Sequence, residues 1–171
     1  NGGGIYVNGA SASVKIDGAS IKANKATNRG AGVYLDSGTL TFKTGTISSN
    51  EATVNGGGIV SDKATVVIEG GTIELNKAVN GGGIYFIAAG TLKMTGGEIK
   101  DNTASAAGGG LYLSQGITEV VLSGGQIIGN KSTSDGAGIY LDRNASKSIS
   151  IAGSPIIKEN QKSDNTASNI Y

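Results

Sequence analysis

The sequence predicts an all-β fold, a right-handed parallel β-helix with three strands per coil and about six coils of roughly 27 residues. Three observations predict it. A glycine-rich motif recurs at nearly constant spacing. Short runs of alternating apolar residues recur between its copies. An Ile-x-x-Asn motif closes each interval. Residues 1–171 read as a single repeat domain, most simply part of a longer chain.

The first strand of each coil carries the motif Gly-Gly/Ala-Gly-apolar-Tyr-apolar. It opens as Gly2-Gly3-Gly4-Ile5-Tyr6-Val7 and returns at 30–35, 56–61, 81–86, 108–113 and 136–141, with a shorter copy at Asn169-Ile170-Tyr171. Its anchors are Ile5, Val33, Ile59, Ile84, Leu111, Ile139 and Ile170, spaced by 28, 26, 25, 27, 28 and 31 residues. Side chains alternate across a strand, so the anchors and the residues two positions on (Val7, Leu35, Phe86, Leu113, Leu141) face inward, with Ser61 as a break. The central Gly or Ala of the motif also faces in by parity, and its small size marks a tight corner.

The second strand alternates strictly, as in Val14-x-Ile16, Leu40-x-Phe42, Val66-x-Ile68, Leu92-x-Met94, Val120-x-Leu122 and Ile149-x-Ile151. Glycines such as Gly70-Gly71 and Gly96-Gly97 then turn the chain into a third strand holding one inward Ile. Three residues after that Ile stands an asparagine: Asn24, Asn50, Asn76, Asn102, Asn130 and Asn160. Asn tolerates turn backbones, and stacked amides can bond one another. These six form an internal ladder, structural rather than ligand-binding. At one coil per 4.8 Å, six coils make a rod about 29 Å tall.

Composition agrees and excludes much else. Gly makes up 30 of 171 residues without a three-residue period, so this is not collagen. Hydrophobic residues at 37% are too many for simple disorder. The net charge of +1 offers no basic field for nucleic acid. No apolar run approaches the length that inserts in a membrane. Cys is absent, which removes disulfides and thiolate metal sites, and His is absent, which removes the commonest acid–base group.

The alternation of Gly-Gly-apolar with apolar-x-x-Asn resembles the GGAI and FxxN repeats of polymorphic outer-membrane protein passengers. More broadly it resembles the pectin-lyase-like β-helices of bacterial adhesin-like surface proteins. The resemblance covers nearly the whole chain; Ile replaces Phe before x-x-Asn, and a Tyr follows the glycine-rich motif. It implies export to the bacterial cell surface and adhesion.

No catalytic, metal or cofactor site is expected. Acidic residues fall in columns that alternate with lysines on successive coils: Asp17, Lys43, Glu69; Lys25, Glu51, Lys77; Lys22, Ser48, Glu74, Lys100. Arg29 and Arg143 lie about four coils apart by register and form no anion clamp. Thr41, Thr46 and Thr72 make no continuous rank of the kind that binds ice. The outward column Tyr6, Tyr34, Tyr85, Tyr112, Tyr140 and Tyr171, interrupted at Val60, is the candidate recognition face, with Tyr34, Tyr85, Tyr112 and Tyr140 at its centre. The same rings could equally stack on one another. Candidate partners are host or cell-surface glycans or proteins, or neighbouring repeats of the parent chain. The leading expectation is a non-catalytic structural or adhesive segment; the alternative is a carbohydrate-binding or polysaccharide-degrading module of pectin-lyase type.

Overall fold

The computed structural model describes residues 2–142 and 149–171. Every strand pair within its two sheets is parallel. The glycine-rich strands pair coil on coil in the register set by their anchors: Ile5 with Val33, Val33 with Ile59, Ile59 with Ile84, Ile84 with Leu111, Leu111 with Ile139. An isolated bridge from Ile139 to Ile170 adds the last rung. The alternating strands stack likewise, from Val14 on Leu40 to Val120 on Ile149.

The second and third strands run together in the first two coils, as Ser13–Lys22 and within Val33–Ser48, and separate in later coils. Each coil also carries a fourth strand of only two residues, directly after the ladder asparagine: Lys25–Ala26, Glu51–Ala52, Lys77–Ala78, Thr103–Ala104, Lys131–Ser132 and Gln161–Lys162. These build a separate six-stranded sheet. Two residues are too short to display a period, so no alternation announces them.

The core is one continuous apolar column, from Val7 and Ile16 through Phe42, Ile73, Phe86 and Met94 to Ile139. Repetition fills it because each side chain rests on its equivalent one coil away, at crystal-like density. Ser61, the polar break, is fully buried and donates its hydroxyl to the Ala64 carbonyl at 3.1 Å, so it adds no unpaired group. Ala26, Ala31, Ala52 and Ala78 form a small second cluster behind the two-residue strands. The last described coil departs from expectation. Ile151, placed inward by alternation, is 50% exposed, because this coil is covered from one side only.

Candidate functional site

The asparagine ladder is as closed as a side-chain network can be. Asn50, Asn76, Asn102, Asn130 and Asn160 are wholly buried. Each amide nitrogen donates to the oxygen of the next asparagine at 2.9–3.1 Å and to the carbonyl of the core Ile one coil back, as Asn102 does to Asn130 and Ile73. Each oxygen also accepts the backbone N–H of the previous rung, as Asn102 does from Asn76. Both donors and the acceptor of each amide are thus used internally, and nothing remains to hold a ligand.

The turn itself is not made by the asparagine. The left-handed residue is the one before it: Ala23, Ser49, Leu75 and Asp101 at φ 57, 55, 55 and 52, Gly129 at 67 and Glu159 at 58.

The ladder ends on a residue that spacing did not single out. Asn169 takes the place held by the third glycine of the motif in earlier coils, and its oxygen accepts from the Asn160 amide and backbone N–H at 3.1 and 3.2 Å. We expect Asn169→Ala to cost about 1 kcal/mol, the usual worth of such bonds. Amide exchange should accelerate at Asn160 and leave Asn76 unchanged.

A second, shorter polar column also escaped sequence reading. Arg29, Asn55 and Asn80 bridge coil to coil just before the glycines, and Asn80 donates to the Asn55 oxygen at 3.2 Å. The signal was present as Asn-Gly at 55–56 and 80–81, hidden because Arg29 begins the column and Ala107 continues it.

The tyrosine column forms in the expected register, with Tyr34 opposite Val60 and Val60 opposite Tyr85. Its rings stack in two groups. Tyr6 and Tyr34 have centroids 5.5 Å apart. Tyr85, Tyr112 and Tyr140 are spaced 4.8 Å, and Tyr171 adds a fourth ring at 5.6 Å, with interplanar angles of 13–26°. Ring faces are therefore largely spent on one another. Each such contact is worth about 0.5–1.5 kcal/mol beyond area burial.

Parity correctly puts this column outside the core, but exposure does not follow: Tyr34 is only 4% exposed and Val60 not at all. Burial raises the Tyr34 and Tyr85 phenols above their usual pKa, and in both the Arg29 charge opposes the rise. Arg29 thus acts on both sides of the rung where the ring is missing, with its Nε buried and unbonded. Arg143 lies outside the described residues.

Tyr112 goes furthest, pushed from 10.0 up to about 12 by burial and then by Tyr85, Asp142 and Tyr140. A phenol with a raised pKa in the folded state holds its proton more tightly there, so its contribution is complete below the unfolded value and lost above it. Stability should fall as pH rises from 10.0 through about 12, and Tyr112→Phe should flatten that fall. Denaturant melts across this range, with ultraviolet phenolate titration, check it.

Outward charges pair mostly as predicted. Lys25–Glu51, Lys43–Glu69 and Glu74–Lys100 lie within 3.3–3.8 Å across coils, while Lys93–Glu119 at 3.9 Å falls outside the predicted columns. The first column needs correction. A register shift follows Ile16, so Asp17 stands opposite Thr44, not Lys43; it bonds that hydroxyl at 2.9 Å and Lys15 at 2.8 Å. Gly18 provides the slack for this bulge. These are exposed pairs, each worth less than about 1 kcal/mol. Among the described residues, no three His, Cys, Asp or Glu side chains converge as a metal site. Thr46 stacks on Thr72, and that column continues as Glu98 and Gln126, as expected; a separate rank, Ser13, Thr39, Thr65 and Thr91, runs over four coils of the second strand.

A family model described as right-handed β-helix region matches residues 1–171. No curated protein and no solved structure matches the chain.

Proposed function

Since the chain belongs to the right-handed β-helix family, we propose that it is a non-catalytic structural and adhesive segment of an extracellular bacterial surface protein. One observation carries the reading: outward charges and rings are largely satisfied by neighbouring side chains of the rod itself. Eight carboxylates are ion-paired to lysines, and five tyrosine rings stack on a neighbour one rung before them or after them, with Tyr6 completing the set. A hydrolase or lyase needs the opposite, carboxylates or bases held toward a substrate and away from mutual neutralisation. Lack of His and Cys fits a durable exported rod. Resemblance to adhesin-like repeats supports placement at the cell surface.

The test pairs a glycan array with a depolymerisation assay, using wild type and Tyr85→Ala/Tyr112→Ala. The reading expects no new chain ends from any polysaccharide. It expects the double variant to lose about 1–3 kcal/mol of stability from two broken stacks while keeping whatever capture wild type shows. Polysaccharide cleavage by the purified chain would sink the non-catalytic reading. Capture that vanishes in a folded double variant would make the tyrosines a recognition face.

A further inference from the structure

Among the described residues, eight large apolar side chains are exposed, and five of them, Tyr6, Ile151, Ile156, Ile170 and Tyr171, belong to the first coil or to the last coil and rung. The other three lie mid-rod at one corner. Leu75 is 52% exposed and stands just before the ladder asparagine of the third coil. Val54 and Val79 are 38% and 36% exposed, just beyond the two-residue strands of the second and third coils. They sit one above the other, with the Val79 N–H donating to the Val54 carbonyl at 2.8 Å. Between the leucine and the valines runs a shallow groove floored by Glu51, Ala52, Lys77 and Ala78.

The repeat does not require these side chains. Leu75 has a left-handed backbone, φ 55, where the equivalent residues are Ala23, Ser49, Asp101, Gly129 and Glu159. Its exposure leaves that strain without a packing gain inside the chain. Apolar side chains gathered in adjacent coils, rather than scattered singly, mark a contact surface.

The charges on the groove floor select the partner. Along the rod they run Lys25, Glu51, Lys77, one coil apart. Consider a second copy lying antiparallel, related by a two-fold axis that passes between the second and third coils. The second coil of each copy then meets the third coil of the other. Glu51 faces Lys77 of the second copy twice, and Val54 faces Val79 of the second copy twice. Leu75 meets Ser49, the small residue at the same corner one coil earlier. All these matches follow from one axis position, as an isologous contact requires. A parallel copy would instead set Glu51 on Glu51 and Lys77 on Lys77, which repels. A peptide adding as a strand finds no free edge here, because the Lys77 and Thr103 N–H groups already donate to the Asn50 and Asn76 carbonyls.

We propose that this corner is a homotypic contact at which two rods pair side by side and antiparallel. It gives the adhesive reading above a partner and rests on that reading for its role, while the contact itself is measured on the purified chain alone. The facing charges extend over four coils, from Lys25 to Thr103, or about 19 Å of rod at 4.8 Å per coil. That strip is smaller than the surface that stable complexes bury, so pairing is weak, with a Kd of about 0.1–1 mM.

Sedimentation equilibrium of the whole chain up to millimolar concentration, with backbone amides followed by NMR over the same series, tests it. Wild type should dimerise, with concentration-dependent shifts at Glu51, Lys77 and Val79 and none at Tyr112. Glu51→Lys and Lys77→Glu should each weaken self-association about tenfold or more. An equimolar mixture of the two should associate as wild type does, which also shows that both variants fold, and so should the double variant Glu51→Lys/Lys77→Glu. Leu75→Asn should weaken pairing to a similar extent without lowering Tm, because Asn tolerates this backbone. The proposal is overturned if wild type stays monomeric at millimolar concentration, if the shifts map to another face, if either charge variant associates as wild type does, or if their mixture does not recover. A monomer that captures glycans on the array overturns this contact and leaves the adhesive reading standing. Polysaccharide cleavage by a chain that pairs as described overturns the non-catalytic reading and leaves the contact standing.

Discussion

Asn102→Ala should destabilise the chain by about 2–4 kcal/mol without changing the denaturant m-value. The residue is central in the ladder and wholly buried. Truncation removes the one oxygen that accepts both the Asn76 backbone N–H and the Asn76 amide, at 3.0 Å each. It also removes a donor from the Ile73 carbonyl at 2.9 Å. Water cannot enter a close-packed core to replace these bonds, so the full desolvation penalty of the orphaned donors is felt. Asn24→Ala is the control. That rung is half-buried and only donates, to Asn50, so its loss should cost about 1 kcal/mol. Equal losses at the two positions would mean that the ladder does not act as a buried network.

Gly83→Ala should be harsher still, at about 3 kcal/mol or more, since overpacking that backbone cannot relieve exceeds the usual range. A Cβ at Gly83 would lie 2.5 Å from the Gly110 carbonyl oxygen and 3.0 Å from the Asn102 amide nitrogen. The first contact is backbone of the next coil and the second is the ladder, so relief requires opening the coil spacing. Gly18→Ala separates this steric effect from conformational strain. Its φ is +81 but nothing lies within 4 Å of the added carbon, so only the strain of about 1 kcal/mol should appear. Urea midpoints of the two variants, measured together, decide whether close approach or backbone freedom explains the glycine-rich motif.

Much of this was legible in the sequence, for a physical reason. Each anchor from Ile5 to Ile139 must face the core, and a slip of one residue would turn it outward, so spacing and register are the same information; Ile170, expected inward, is 47% exposed on the last rung. The asparagines were legible likewise, since Asn at a fixed distance from a core Ile has few uses other than a ladder. What escaped depends on events between coils. The slip that carries Asp17 past Lys43 comes from a bulge, which spacing counted on the apolar anchors does not record. Burial of Tyr34 comes from neighbouring coils, not from parity, which assigns a side but not a depth. Asn169 looked like part of a shortened glycine motif, and its role depends on its side chain turning back to Asn160. The left-handed turn also escaped, because it falls one residue earlier than asparagine's own preference suggests.

The central claim is that coil-to-coil pairing of equivalent side chains, above all the asparagines, holds this rod together. Proton exchange and contacts of the asparagine side-chain amides, observed by NMR, test it most directly. The account predicts five strongly protected amides, those of Asn50, Asn76, Asn102, Asn130 and Asn160, with cross-peaks linking each of the first four to the next asparagine a full coil away and Asn160 to Asn169. Exposed Asn8 should exchange freely in the same spectrum. Exchange of the five at the rate of Asn8, or cross-peaks only to residues near in sequence, would contradict it.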